Sequence, residues 1–373
     1  MILIKEAISK KEMKQFVTFP FSLYKNNKYW VPPIIKEELD SFDKTKNPVF
    51  NQATAHYFLA YKDTKIVGRV AVIINHTEVE VQKIKKIRFG WFDVINDVAV
   101  TKKLLEKVNE IGKANNLEVI EGPIGFSNMD KVGVLTKGYD SLSTMVTWYN
   151  HPYYVTHFEK LGYQVEKEFL ESIILIKNIA IEKYAKFATI LKERSGYKVL
   201  NFKSSKEVMP YVDKMFVLFE EAYSKLSSFV PISSAQIAFF KKKYISFINP
   251  EYIKFVVDKD GNLLAFAILM PSFAKALQKA NGKLFPFGLF HLLKAKKKND
   301  TAVSYLIGIH PKYQNKGVTA IVFEEFYKSV VKNNVEIIRI TPQLKNNKEI
   351  HRIWKNFQPD YHKERCTFIK SIT

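Results

Sequence analysis

Apolar and polar positions along this chain repeat in one order twice. Ile2 to Ile4 read as a short strand, and a polar helical stretch follows. The segment FPFSLYKNNKYWVPP (19–33) carries Trp30 and the Pro32–Pro33 pair, which predict an ordered, non-helical corner. The apolar runs 56–63 and 65–74 are separated by a polar turn and predict strand–turn–strand, and 85–95 predicts a further strand. Within 98–116, Val100, Leu104, Leu105, Val108 and Ile111 fall on one helical face, and Asn115 and Asn116 end it. A strand over 118–126 comes next. A helix entered at Pro152 and stopped at Gly162 then leads to a strand over 169–176.

The second half repeats this order. Helical segments occupy about 181–196 and 206–226, and strands at 252–257 and 263–270 are joined by the turn 258–261. After an insertion, 272–300, come a strand (303–311), a helix (318–333) and a strand (336–341). A helix around 347–357 and a strand over 366–372 close the pattern. The expected fold is α/β with mixed sheets, built from two similar units at 1–175 and 176–373.

Composition narrows the partners. The chain has 373 residues, and 58 basic against 37 acidic side chains give a net charge of +21. That excess favours an anionic partner: CoA, an acidic acyl carrier protein, an anionic membrane surface or nucleic acid. The single cysteine, Cys366, excludes an intrachain disulfide and a zinc site built from several thiolates, and it reads as core. Residues 1–14 hold no apolar core of signal-peptide length, and no run approaches the roughly 20 apolar residues that cross a bilayer. A cytoplasmic chain is expected, peripheral on the inner face of the membrane if it meets lipid. GxSxG, HExxH and Walker patterns are absent.

The chemistry concentrates in LIGIHPKYQNKGVTAIVF (306–323). A buried strand ends at a proline, and a short loop with Gln314 and Gly317 opens a helix. Free N–H groups at such a helix start, with the helix dipole, bind phosphate, and Lys312 and Lys316 add positive charge. Here the sequence resembles the GNAT acyltransferase superfamily, whose pyrophosphate loop reads Gln/Arg-x-x-Gly-x-Gly/Ala. Thr319 stands where that family prefers glycine or alanine. The resemblance implies that the pyrophosphate of acetyl-CoA or another acyl-CoA rests on the backbone of Gln314, Asn315, Lys316, Gly317, Val318 and Thr319. The pantetheine arm would lie along the strand ending at Ile309. NNKEIHRIWKNF (346–357) looks like the family's later helix, starting at Asn347. YNHPYYVTHFEKLGY (149–163) is similar to the same helix in the first half, yet the junction at 91–100 has no Gln-x-x-Gly loop. The first half thus resembles a degenerate unit on the acceptor side. Together with FLAYKDTKIVGRVA, RFGWFDV and EGPIGFSNMDKVGVLTKGYD, these motifs resemble a bacterial group of tandem-GNAT proteins over nearly the whole chain.

The resemblance implies direct N-acylation of an amine on a lipid or other bulky acceptor, of sphingoid type among others, with no metal. Two alternatives stay open: an aminoacyl-tRNA-dependent transferase, and a non-catalytic acyl-CoA or lipid binder. The retained loop argues against tRNA, so nucleic acid is not expected. Amide formation from a thioester needs a neutral amine and a proton for the leaving thiolate. Tyr305 is a candidate proton donor or a core residue. Asp130 is a candidate base or a turn cap. Asn150, Tyr153 and Tyr154 line an acceptor pocket or simply pack. His310, Asp93 and Asp97 read as structural, the two aspartates as helix-start residues. The family's acidic residues before the last helix are replaced by Gln343 and Lys345. Within the insertion 272–300, the stretch up to Asn299 holds seven lysines and no acid. Its FPFGLFHLL run is either a lid over the acyl-CoA groove or an interfacial membrane segment.

Overall fold

The computed structural model describes residues 1–226, 229–242 and 248–373. The first half forms β1 (Ile2–Glu6), α1 (Lys10–Leu23), α2 (Ile35–Phe42), β2 (Ala53–Lys62), β3 (Lys65–Asn75), β4 (Lys86–Val94) and α3 (Val98–Ala114). It continues through β5 (Val119–Gly122), β6 (Val134–Lys137), α4 (Tyr153–Lys160) and β7 (Gln164–Leu175). The second half forms α5 (Ile181–Ser195), β8 (Lys198–Leu200), α6 (Ser205–Val208), α7 (Val212–Tyr223), α8 (Ser234–Phe240), β9 (Ile253–Val257) and β10 (Leu263–Pro271). The insertion supplies α9 (Ala274–Ala280) and α10 (Gly288–Lys297). Then come β11 (Thr301–Ile309), α11 (Val318–Lys332), β12 (Ile337–Leu344), α12 (Lys348–Lys355) and β13 (Asp360–Ser371).

The helical face of α3 is as the periodicity predicts: Val100, Leu104, Leu105 and Val108 are buried, and Ile111 packs at their edge. Asp97 caps this helix, its Oδ1 accepting the Ala99 N–H at 2.9 Å. Four expectations change. Residues 19–23 belong to α1 rather than to the corner. Pro20 inside that helix has no N–H for the Phe16 carbonyl, and Arg69 Nη1 donates to that carbonyl instead, at 2.8 Å. Asp93 is not a helix-start residue: it pairs with Arg69 at 2.7 Å and accepts the Tyr24 hydroxyl at 2.7 Å. The expected 206–226 helix breaks at Met209–Tyr211, around Pro210. The final strand starts at Asp360, six residues before the apolar run that announces it.

All the described strands join one sheet in the order β1-β2-β3-β4-β5-β13-β7-β12-β11-β10-β9-β8, with β6 beside β13. The two units exchange strands at its centre. β7, from the first half, pairs antiparallel with β12 of the second, and β13, from the second, pairs antiparallel with β5 and β6 of the first. β7 and β13 also pair with each other over most of their length.

Buried charges fasten this seam. Arg88 and Lys86 on β4 hold Glu78 at 2.7 and 3.0 Å, Lys86 reaches Glu121 on β5 at 2.8 Å, and Glu121 also pairs with Lys167 on β7. Burial pushes the carboxyls of Glu78 and Glu121 up, but the adjoining cations outweigh it and hold both below the usual range. Thr367 on β13 donates to Glu121 at 3.3 Å, and Arg365 on β13 pairs with Glu171 on β7.

Two outcomes follow from this seam. Removal of residues 358–373 leaves β5 and β7 with an open edge, so the cooperative thermal transition followed by circular dichroism should disappear; a single sharp melt would show that the halves fold without exchange. Glu78→Gln strands Arg88 beside a neutral group and should cost about 3–5 kcal/mol in urea unfolding. A cost under 1 kcal/mol would mean the ladder is not a stabilising unit.

Candidate functional site

The parallel pairing of β11 with β12 lasts only from Thr301–Ser304 against Ile337–Ile340. Beyond Ser304 the strands part, and Thr341 donates its hydroxyl to the Ser304 carbonyl at 3.0 Å where they diverge. The register between β10 and β11 slips at the same place: Ile268 faces Leu306 and Leu269 faces Ser304, so Tyr305 is an extra residue in its strand. Such a bulge re-aims a side chain. Tyr305 borders the cavity that fills the split, about 960 Å³ in volume.

The mouth of the cavity is the loop into α11. Gln314, Asn315, Gly317 and Thr319 border it, together with Ile309 at the end of β11 and Asn347, whose Oδ1 accepts the Ile350 N–H at 3.3 Å to cap α12. In the first turn of α11 the Ala320 N–H donates to the Gly317 carbonyl at 2.9 Å, and the N–H groups of Val318 and Thr319 before it have no carbonyl one turn back. Gly317 has φ +82°, and a Cβ on it would meet the Phe187 ring at 2.3 Å. Its glycine is thus demanded by backbone and packing, whatever the ligand. Lys316 and Val318 lie off the lining: Lys316 Nζ sits 5.6 Å from the Tyr313 ring, and Val318 is buried in the core. Two cations unforeseen from the sequence stand at the mouth, Lys183 on α5 and Arg352 on α12, the latter donating to Asn315 Oδ1 at 3.3 Å. Their spacing from the loop in sequence gives no signal; only the packing of three helices gathers them.

The far wall comes from the first half. Ile124, Met129, Val132 and Val146 give it an apolar surface, and Asp130 sits among them. One carboxylate oxygen of Asp130, Oδ2, accepts the backbone N–H of Ser127 at 2.9 Å and its hydroxyl at 3.2 Å. Gly125 must lack a side chain here, because a Cβ would fall 2.2 Å from that of Asp130. Burial raises the Asp130 carboxyl above the ordinary carboxylate range, and the Ser127 donors and Arg88 reverse this only in part. Tyr305 is pushed well above the usual phenol value by burial and by the Asp130 charge, so it stays protonated at neutral pH. Tyr223 fixes the strand edge by donating to the Ile307 carbonyl at 3.0 Å.

The predicted acceptor residues are elsewhere. Asn150 accepts the Leu135 N–H at 2.7 Å and holds a loop. The Tyr154 hydroxyl accepts the Val94 N–H at 2.9 Å and lies 3.1 Å from the Tyr24 hydroxyl, while Tyr153 donates to the Val94 carbonyl at 2.6 Å. Val94 ends β4 as Ile309 ends β11, so in the first half the corresponding strand end is occupied by the chain's own tyrosines. His310 accepts the Lys312 N–H at 3.1 Å, a turn-holding role. Gln343 borders the cavity, and Lys345 pairs with Glu168 at 2.8 Å. Cys366 is core, its thiol pushed up to about 12 by burial. Among the described residues, none in 272–300 borders the cavity, so the insertion is not its lid. No helix among them is long and apolar enough to cross a membrane.

No protein-family model matches the chain. Its sequence is similar to Protein YghO of Escherichia coli strain K12, 22% identical over 377 residues and covering 99% of this chain and 95% of that protein. It is also similar to the bacterial ceramide synthase of Caulobacter vibrioides, 24% identical over 307 residues, 81% of this chain and 79% of that one. Among solved structures, the tandem GNAT protein from the clavulanic acid biosynthesis pathway superposes with a TM-score of 0.61 at 8% identity, covering 100% of this chain and 99% of that chain. A GCN5-related N-acetyltransferase from Sphaerobacter thermophilus superposes at 0.54 with 9% identity, covering 100% and 96%. Two strand–helix units of one pattern, a bulged and splayed strand pair, and end-to-end superposition lead to one conclusion: this chain has the tandem GNAT fold.

Proposed function

We propose that the chain is an acyl-CoA-dependent N-acyltransferase whose second unit binds the thioester and whose first unit supplies the acceptor wall. The observation that carries this reading is the single cavity running from the Gln314–Thr319 loop to Asp130. The pyrophosphate of CoA would rest on the N–H groups at the start of α11, with Arg352 and Lys183 beside it. The pantetheine arm would follow the edge of β11 left open by the departure of β12, up to Tyr305. In the first unit Tyr153 and Tyr154 already engage the matching strand end, which supports one donor site rather than two.

In the reaction, an ammonium gives a proton to Asp130, whose raised affinity suits it as a base for an amine. The neutral nitrogen attacks the thioester carbonyl, the C–N bond forms and the C–S bond breaks. The departing thiolate takes the Tyr305 phenol proton, and the proton lost from nitrogen restores the phenol. The cavity volume, at the upper end of the range for small-molecule sites, and its Met129, Val132, Val146 wall support a lipid or other bulky amine as acceptor. Similarity to a protein named bacterial ceramide synthase supports a sphingoid-type amine within that class.

Thr319→Glu places a carboxylate at the helix start and should abolish the thermal stabilisation given by CoA and palmitoyl-CoA while leaving the unliganded melting temperature nearly unchanged. It is a cleaner test than a change at Gly317, where any side chain meets Phe187. Undiminished CoA binding would sink the donor-site assignment. Asp130→Asn should lower kcat by about 10²-fold or more with little change in KM for the thioester. The wild-type rate should fall as pH drops through the Asp130 pKa, which lies above the normal carboxylate value, and the variant should recover as alkaline pH deprotonates the amine directly. An unchanged pH profile in Asp130→Asn would remove Asp130 from the proton path. Binding of thioesters without turnover across an amine panel would instead mark a binding protein.

A further inference from the structure

The insertion between β10 and β11 is fastened at its base and apolar at its tip. At the base, Ala274, Leu277 and Ala280 of α9 are buried with Val31 and Ile34. Gln278 Nε2 donates to the carbonyls of Lys28 and Trp30, both at 2.9 Å, and the Ile35 N–H donates to Gly282 at 2.9 Å. Gly282 has φ +81°, and a Cβ there would strike Phe21 at 2.6 Å, so the turn out of α9 is held in one path. Beyond it Leu284 and Leu292 pack back on this base, while four other large apolar side chains stand exposed. Phe285, Phe287, Phe290 and Leu293 are 74%, 70%, 64% and 49% exposed. Four large apolar side chains within nine residues are not the scattered singles of an ordinary surface.

The charge around this tip has one sign. Lys283 precedes the aromatic run, and Lys294, Lys296, Lys297 and Lys298 follow it, with no acid between residues 272 and 299. The site cavity gives this cluster no role, since none of these residues borders it. We propose that the 283–298 part of the α9–α10 hairpin docks the protein on an anionic lipid bilayer, the phenylalanines entering the interface and the lysines meeting the head groups. Aromatic and leucine side chains with a basic flank form the pattern that binds such a surface, and a segment this short lies in the interface without spanning it. Charge alone would also suit an acidic carrier protein or RNA, but neither explains three exposed phenylalanines within six residues.

The location gives the docking a direction. Met145 packs against the hairpin base, and the next residue, Val146, borders the far wall of the cavity. The insertion runs into β11 at Thr301, and the loop proposed for the pyrophosphate begins past Ile309, about 26 Å away along a strand rising ~3.3 Å per residue. A bilayer at the hairpin therefore lies toward the acceptor wall, with the CoA mouth away from it. That last step rests on the acyltransferase reading; the docking itself does not.

The test is co-sedimentation of the full chain with phosphatidylcholine vesicles and with vesicles also containing phosphatidylglycerol. Binding to the anionic vesicles, weakened about tenfold or more by Phe285→Ser, Phe287→Ser and Phe290→Ser together at unchanged thermal stability, would support the proposal. No binding would overturn it. So would equal binding by the triple variant, since that outcome is adsorption through net charge alone. Retention by an acidic carrier protein, lost in the same variant, would also overturn it. Should the triple variant melt early, Phe285→Cys carrying a polarity-sensitive dye reads the same contact, Cys366 being buried. A blue shift on anionic vesicles supports insertion, and an unchanged spectrum refutes it. Because vesicle binding needs no acyl-CoA, its result is independent of Thr319→Glu and Asp130→Asn.

Discussion

The exchange of β7 and β13 is the constraint on which the rest depends. Each unit lacks one central strand of its own and receives it from the other, so neither can close its sheet independently. The interface is made of backbone ladders, which fix register, and of buried charges, which fix partners. Glu121 is contacted from β4, β7 and β13 at once, by Lys86, Lys167 and Thr367. A slip of one residue in any of these strands would turn a buried charge away from its counter-ion and bring an apolar face into the polar ladder. The seam thereby sets how the first unit's 124–132 loop faces the second unit's β11, and so sets the width of the cavity between them.

Two copies of one design have diverged at the same point. In both, the parallel strand pair separates after a few residues, β4 from β5 beyond Arg88 and β11 from β12 beyond Ser304. In both, the register slips at the strand preceding the helix, near Trp91 and at Tyr305. One split is filled: Phe89 closes over Gly122 and Ile124 over Gly90, and Tyr153, Tyr154, Tyr24 and Asp93 tie off the strand end. The other split stays open. The difference comes from side-chain volume and hydroxyl placement on a common backbone, and a few aromatic residues suffice to turn such an open cleft into core.

Most elements were legible because their apolar periodicity is strong. Val100 to Val108 announce a helix and its buried face, and the strand-loop-helix at 306–323 announces the cavity mouth. The start of β13 was not legible, because its buried residues Lys363 and Arg365 are charged and hydropathy reads them as surface. Continuation of α1 through Pro20 was missed for a similar reason: the compensating donor, Arg69, is 49 residues away in sequence. Periodicity also says nothing of which strand pairs with which, so the repeat suggested two adjacent units and hid their exchange. Asn150, Tyr153 and Tyr154 carry the polar groups expected of an acceptor pocket, yet each satisfies the backbone. Arg352 and Lys183 escaped notice because they reach the site from separate helices.

The exchanged strand also shapes how the molecule is made. On the ribosome, β7 is complete roughly 185 residues before β13 begins and β5 earlier still, so the wait is on the order of 10–40 s or longer at ordinary elongation rates. Throughout that time the nascent first unit holds an unpaired sheet edge and the cationic side chains of Lys86 and Lys167 around a carboxylate not yet enclosed. Such charged groups are poor partners for adventitious strand pairing, so the same residues that lock the finished seam also protect its edge from neighbouring nascent chains while it waits.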